Sequence, residues 1–258
     1  MLGAIAGDII GSIYERWNIK TKDFQLFNKH NTFTDDSVLT VATAEGILKD
    51  LKFEWMYEKY YYKYPNAGYG GNFHKWASAH FHEPYNSWGN GSGMRVSPVG
   101  WAYDDLETVL TETKRSAECT HNHSEGIKGA QAIASAIFLS RQEKSKNEIK
   151  SYIESQFKYN LDFTIDGIRD TYTFDVSCQG SVPQAIRAFY ESTNFEDAIR
   201  NAISIGGDSD TIACMAGAIA EAFYGIPKEI EEKTLSYLDD FLLETIKTFR
   251  ENYVLLNI

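Results

Sequence analysis

The chain has 258 residues, enough for one large domain or two small ones with ample core. Its 36 acidic and 25 basic residues give a formal net charge of -11. That balance describes a solvated surface and argues against a general nucleic-acid binder, whose affinity rests on Lys and Arg neutralising phosphates. A small nucleotide in a local pocket stays open, and part of the acidic excess can be metal-site carboxylate. Cys119, Cys178 and Cys214 are odd in number, far apart and in no CxxC pair, so neither a disulfide framework nor a zinc knuckle is implied. The first residues lack the positive region of a signal peptide, and no apolar run approaches the length of a membrane span. The expectation is a cytoplasmic, monomeric protein without a membrane partner.

Apolar periodicity is mostly helical. Residues 3 to 14 predict a helix rich in Gly, Ala and Ser, whose several glycines are costly in a helix unless neighbours approach closely. Asp36 or Asp35 is expected to cap a second helix, with Val38, Leu39, Val41, Ala42, Ala44 and Ile47 on its buried side. An aromatic helix follows over 53–62. From Tyr64 to Pro98, glycines lie among Tyr, Trp, His and Asn, which predicts a long loop-rich segment where binding residues concentrate. Helical order returns after Ser124, with Ile127, Ala130, Ile133, Ala134, Ile137 and Phe138 at i, i+3, i+4 spacing. Further helices are predicted over 146–157, 182–190 and 195–203. A small-residue helix is predicted from Thr211 to Tyr224, stopped by Gly225 and Pro227, and a long terminal helix over 228–250. Strand signals are weak, with Thr171-Tyr172-Thr173-Phe174 the best of them. The predicted fold class is therefore all-α, a single multi-helix domain over 1–258.

Two acidic runs stand out. Thr34-Asp35-Asp36-Ser37 and Gly207-Asp208-Ser209-Asp210-Thr211 each precede a helical pattern and mix Asp with Thr. Alone, each reads as a helix N-cap. Two adjacent Asp residues exceed what one cap needs, however, and the distant run repeats the composition. If the fold joins the runs, hard oxygen donors converge, a set that suits small divalent cations in octahedral geometry.

Gly7-Asp8-Ile9-Ile10-Gly11-Ser12-Ile13-Tyr14-Glu15, Thr34-Asp35-Asp36-Ser37, Gly89-Asn90-Gly91-Ser92-Gly93-Met94-Arg95, Thr120-His121 and Gly206-Gly207-Asp208-Ser209-Asp210-Thr211 follow one another along nearly the whole chain. In this order they resemble the motifs of the ADP-ribosylglycohydrolase family, the dinitrogenase-reductase-activating and ADP-ribosylhydrolase-like proteins. The resemblance implies an all-α fold with two Mg²⁺ or Mn²⁺ ions at the base of an ADP-ribose cleft. By motif, Thr34, Asp35 and Asp36 resemble the ligands of one metal. Asp208 and Thr211 resemble those of the other, and Asp210 the carboxylate bridging both. Glu15 matches a mobile glutamate acting as general acid/base; its plain alternative is a surface charge at a helix end. Asp8 reads as a residue behind the metals or a partner for nearby backbone, outside the site itself.

The loop Ser87-Trp88-Gly89-Asn90-Gly91-Ser92 resembles the family's diphosphate and adenosine loop. Trp88 would stack on adenine, or is a packed ring; Ser87, Gly89 and Asn90 would contact phosphate or ribose. His121 matches a histidine near the phosphates, Gly70 and Gly71 line the ribose end, and Arg95 meets the diphosphate or forms a structural salt bridge. The implied function is hydrolysis of the glycosidic bond joining ADP-ribose to an acceptor on a protein or small molecule, with ADP-ribosylated nucleic-acid ends within range. The alternatives are a non-catalytic ADP-ribose-binding or crystallin-like protein and a metal-dependent phosphoesterase cleaving the diphosphate.

Overall fold

The computed structural model describes residues 1–80 and 83–255. The helices run α1 (Leu2–Gly11), α2 (Asp35–Lys49), α3 (Phe53–Lys63), α4 (Gly71–Ser78), α5 (Gly91–Met94), α6 (Ser97–Ala102), α7 (Leu106–Glu118), α8 (Ser124–Arg141), α9 (Lys146–Phe157), α10 (Ile165–Arg169), α11 (Cys178–Glu191), α12 (Phe195–Ser204), α13 (Ser209–Tyr224), α14 (Lys228–Leu235) and α15 (Asp240–Tyr253). Among the described residues there is no strand, and Thr171–Phe174 forms none; Gly89 and Ser177 form an isolated antiparallel bridge. No helix among them is long and apolar enough to cross a membrane.

Helix α13 is the axis of the fold. It is apolar or small on every side, the pattern of a helix surrounded by others, and its first thirteen residues, Ser209 to Glu221, are all buried. Helices α1, α8, α11 and α12 pack around it, and α2 touches it near the site. The closest of these packings is against α1. A Cβ on Gly7 would overlap the Ala213 carbonyl, and one on Gly3 would overlap that of Gly217. The small-residue stripe therefore lets the two backbones touch, and every residue of α1 is buried.

Several boundaries differ from expectation, each for a local reason. Helix α1 ends at Gly11, three residues early. The Asn31 side chain donates to the Ile9 carbonyl at 2.8 Å and the Ile10 carbonyl at 3.3 Å, satisfying acceptors that continuing helix would have used. The N-cap of α2 is Thr34, not Asp35 or Asp36: its hydroxyl accepts from the Asp36 amide at 3.3 Å. Both aspartates are thereby released from capping. The 64–98 segment is less irregular than predicted, since it holds α4, α5 and the start of α6. Helix α7 was not anticipated; Asp105 caps it by accepting from Thr108 N at 2.8 Å. Helix α11 starts at Cys178, because Ser177 caps it, and so carries Pro183 internally. The expected long terminal helix is two, since Asp239 starts α15 by accepting from Leu242 N at 3.1 Å.

The α1–α13 contact makes a stability prediction. Gly7→Ala should cost about 1–3 kcal/mol by overpacking two backbones, read as a lower denaturant midpoint. Gly71→Ala, where nothing lies within 4 Å of the new methyl, should change stability by no more than about 0.5 kcal/mol. Equal effects at the two positions would refute close packing as the role of Gly7.

Candidate active site

The two acidic runs meet. Thr211 Oγ1, in the first turn of α13, donates to Asp36 Oδ2 at 3.2 Å, across 175 residues of sequence. Behind them stands Asp8, on the face of α1 turned to α2. Its carboxylate accepts from Thr34 N at 2.9 Å, Thr34 Oγ1 at 2.7 Å, Ser37 N at 3.0 Å and the Ser37 hydroxyl. One buried carboxylate thus fixes the whole first turn of α2. Carboxylate oxygens of Asp8, Asp36 and Asp210 lie within 4.8 Å of one another. Asp8, set aside in the sequence reading, therefore belongs to the site. Its signal was a charged residue on an otherwise apolar, small-residue helix.

A second group adjoins the first. Oxygens of Glu15, Asp208 and Asp210 also lie within 4.8 Å of one another, so Asp210 is common to both. Asp208 occupies the N-cap position of α13 without making a side-chain cap hydrogen bond. It accepts instead from Asn90 Nδ2 at 2.6 Å. The preceding Gly206 and Gly207 have φ of 68° and 75°, the left-handed region glycine tolerates, and they swing Asp208 into the cleft. Glu15 lies in the turn after α1, facing the same space.

Asp8, Asp35, Asp36, Asp208 and Asp210 are all charged by type and enclosed. Among the described residues none accepts from a lysine or arginine; their partners are hydroxyls, amides and Asn90. Burial, reinforced by the charges of Asp8 and Asp208, pushes Asp35 up to about 8. Burial pushes Asp208 up to about 6, with Asn90 pulling the other way. Asp36 and Asp210 are raised well above the usual carboxylate range by burial and then by neighbouring carboxylates. Among the described residues no hydrogen-bond partner is found for the buried Asp36 Oδ1. An orphaned oxygen among crowded oxygen donors fits a small, hard divalent cation, which would supply the missing charge and the missing partner.

All of these carboxylates except Asp8, which lies behind them, line a cleft of about 410 Å³. Of the residues expected in the site, Glu15, Thr34, Asp35, Asp36, Asp208, Asp210, Thr211, Gly70, Gly71, Ser87, Gly89, Asn90, Gly91 and His121 line it. Asp35 lines it without joining either carboxylate trio. Trp88 and Ser92 are not among the lining residues. Trp88 is 54 % exposed, its ring 5.8 Å from that of His123. Ser92 is buried and donates to the Gly126 carbonyl at 2.7 Å. Asn90 holds Asp208 with its side chain and donates from its backbone to Val176 O at 2.8 Å, tying the loop to the segment before α11.

The cleft lining also carries a cation that pairs with no carboxylate among the described residues. Arg95 is 1 % exposed, stacks on Tyr57 at 4.1 Å and donates through Nη2 to Thr120 Oγ1 at 2.7 Å and Ser116 O at 3.0 Å. Among the described residues its Nε and Nη1 have no partner and it forms no salt bridge. Thr120 Oγ1 also meets His121 Nδ1 at 2.8 Å. Burial, then the Arg95 charge, holds His121 well below its ordinary pKa, so the ring is neutral. Phe174, 55 % exposed, and Val176 add apolar surface to the lining. Neither was foreseen; an aromatic and a β-branched residue in the 171–176 stretch read only as strand propensity.

The ADP-ribosylglycohydrolase family pattern matches residues 1–256. ADP-ribosylhydrolase ARH3 of Homo sapiens is 26% identical, covering 94% of this chain and 90% of that protein. The Gallus gallus ARH3 is also 26% identical, over 87% of this chain and 84% of its own length. ADP-ribosylarginine hydrolase Tri1 of Pseudomonas putida (strain GB-1) is 28% identical over 56% of this chain and 42% of that protein. A solved structure, described as an ADP-ribosylglycohydrolase-related protein complex, superposes with a TM-score of 0.73 at 19% identity and covers 97% of each chain, a likeness of fold.

The raised carboxyls set the pH dependence of the cation-free protein. In the unfolded chain Asp35 ionises near its ordinary 3.8, whereas the folded protein holds its proton to about 8. Its contribution to stability is thus fully present below the lower value and is lost as pH rises through the upper one. In chelator, the thermal midpoint should fall from about pH 5 to about pH 8, and Asp35→Asn should flatten that fall. Saturating Mg²⁺ or Mn²⁺ should raise the midpoint more at the alkaline end, because ligands must be ionised to bind. A cation effect larger at the acid end would contradict the assignment.

Proposed function

The chain belongs to the ADP-ribosylglycohydrolase family, and from that membership we propose that it is a divalent-metal-dependent hydrolase. It cleaves the N- or O-glycosidic bond between ADP-ribose C1″ and an acceptor, releasing ADP-ribose. The observation that carries this reading is the pair of carboxylate trios sharing Asp210, whose members other than Asp8 line a cleft.

Two cations, Mg²⁺ or Mn²⁺, are the proposed cofactors. Thr34, Asp35, Asp36 and Asp210 would hold one; Asp208, Asp210 and Thr211 would hold the other. Bound there, they supply positive charge that orients ribose hydroxyls and Lewis acidity that favours an ionised oxygen at neutral pH. The protein does the remainder. Asp8 orients Thr34 and Ser37, and Asn90 orients Asp208.

Arg95, whose charge no carboxylate neutralises among the described residues, favours an anion in the cleft, and neutral His121 offers Nε2 beside Gly89 and Gly91. A diphosphate fits that chemistry. Phe174 and Val176 present apolar surface for a base, a role the sequence reading gave to Trp88.

In the reaction, the bond from C1″ to the acceptor breaks while water oxygen bonds to C1″ through an oxocarbenium-like transition state. The leaving atom gains a proton and the water loses one. Glu15, the solvent-accessible carboxylate next to Asp208 and Asp210, is placed to carry out that transfer.

The acceptor is resolved by a panel of defined ADP-ribosylated arginine, serine, nucleic-acid and small-molecule substrates, each assayed with Mg²⁺ and with Mn²⁺. Free ADP-ribose is the expected product; AMP would make the protein a phosphoesterase instead. Asp210→Ala should abolish both turnover and metal binding by calorimetry. Glu15→Gln should lower kcat by about 10²–10⁴-fold with ADP-ribose still bound. Undiminished turnover by Asp210→Ala would refute the metal centre, and lost ADP-ribose binding by Glu15→Gln would make Glu15 a binding residue.

A further inference from the structure

Gly206 and Gly207 pose a mechanical problem. Both are left-handed, neither has a side chain to anchor it, and they directly precede Asp208. Such a link is intrinsically loose, because glycine has more backbone states to lose than any other residue. The turn bearing Glu15 has the same difficulty: it follows the end of α1 and faces solvent. Yet Glu15 must be held within a few ångströms of Asp208 and Asp210.

One side chain addresses both segments. Asn18 accepts from Gly207 N through Oδ1 at 2.6 Å and donates through Nδ2 to Gly207 O at 3.1 Å. The amide pairs with both backbone groups of one glycine, as an adjacent strand would. The same Nδ2 donates to Tyr14 O at 2.6 Å and Glu15 O at 3.0 Å. One N–H donor partner and three carbonyl acceptor partners fix which end of the amide is which. Lys20 reinforces the join by donating to Ile205 O and to Tyr172 O. The side chain of Asn18 is thus a direct bridge between the Glu15 turn and the loop that delivers Asp208, beside a longer contact from Ser209 Oγ to Tyr14 O at 3.4 Å.

We propose that Asn18 is a positioning residue that sets the Glu15 carboxylate against Asp208 and Asp210. This rests on the reading of Glu15 as the proton-transfer group. Asn18 touches neither substrate nor cation; it removes backbone freedom that would otherwise let Glu15 drift. A drift of about 1 Å in a catalytic group is enough to cost about a hundredfold in rate.

The test compares Asn18→Ala, Asn18→Asp, Glu15→Gln and the double variant Asn18→Ala/Glu15→Gln, at saturating Mn²⁺ on a defined ADP-ribosylated substrate. Asn18→Ala should lower kcat by about tenfold to a hundredfold, with KM and ADP-ribose affinity within about twofold of the parent, since the cleft wall is untouched. Asn18→Asp keeps the volume and the acceptor for Gly207 N but turns an anion toward three carbonyls. It should lose kcat comparably, which separates lost donors from lost packing. In the Glu15→Gln background, Asn18→Ala should have little further effect, because its target is already gone. An equal further loss there would show that Asn18 does not act through Glu15. A raised KM with kcat retained would make it a binding-loop residue, and parental kcat in Asn18→Asp would show the donors unnecessary; each overturns the proposal. An inactive Glu15→Gln beside a fully active Asn18→Ala would overturn the role of Asn18 alone. Full turnover by Glu15→Gln would overturn the Glu15 role and the inference built on it together.

Discussion

The backbone contact between α1 and α13 is the constraint from which the rest of the site follows. Gly3 and Gly7 leave no side chain between the helices, so carbonyls of α13 rest against the α1 backbone. At that distance Asp8 and Asp210, one from each helix, reach a common point. A wider crossing, with ordinary side chains interdigitating at 8–10 Å between axes, would separate them. The small residues cost helix propensity, and the geometry they permit is what offsets that cost.

Proximity creates an electrostatic problem that the fold solves only in part. Five aspartates, Asp35 half-buried and the other four buried, share a small volume, and among the described residues their hydrogen-bond partners are hydroxyls, amides and one asparagine side chain. Asp8 is well satisfied, with four donors from a single helical turn. Asp36 is not: one oxygen has no partner among the described residues. The polypeptide therefore holds these groups in place through helix termini and neighbouring hydrogen bonds while leaving net negative charge for a cation to neutralise. Arg95, in the same lining, inverts the arrangement, buried and short of partners among the described residues. The cleft thus holds both crowded carboxylates and an unneutralised cation, a pattern suited to a ligand that carries hydroxyls and anionic groups.

The acidic runs are placed by devices that are individually ordinary. Thr34 takes over the cap of α2, so Asp35 and Asp36 can turn to the cleft. Asp208 is drawn away from capping by Asn90, and the left-handed glycines before it are held from outside by Asn18 and Lys20. The interactions that arrange the site thus come from residues that do not line it, among them Asp8, Asn18 and Ser37. Those that the motifs single out mostly do line it, with Trp88 and Ser92 as the exceptions.

Much of this was legible in the chain. The 3.6-residue periodicity of α2, α8 and α13 made an all-α fold readable, since apolar spacing reflects which face is buried. The Asp-Thr runs were readable as a concentration of hard oxygen donors because donor type belongs to each side chain. Helix ends were less readable: the stop of α1 depends on Asn31, twenty residues further on. The break between α14 and α15 depends on Asp239 competing as a cap. Phe174 and Val176 were missed because a loop residue's facing is decided by what its segment packs upon. The sequence by itself determined the helical class and the chemical kind of the site, because periodicity and donor type are local properties. Only the tertiary structure decided that Asp8 belongs to the cluster, that Arg95 pairs with no carboxylate among the described residues and that Asn18 joins two loops. Those facts are distances between residues as far apart in the chain as Asp8 and Asp210, set by how closely helices pack and not by anything written near them in the chain.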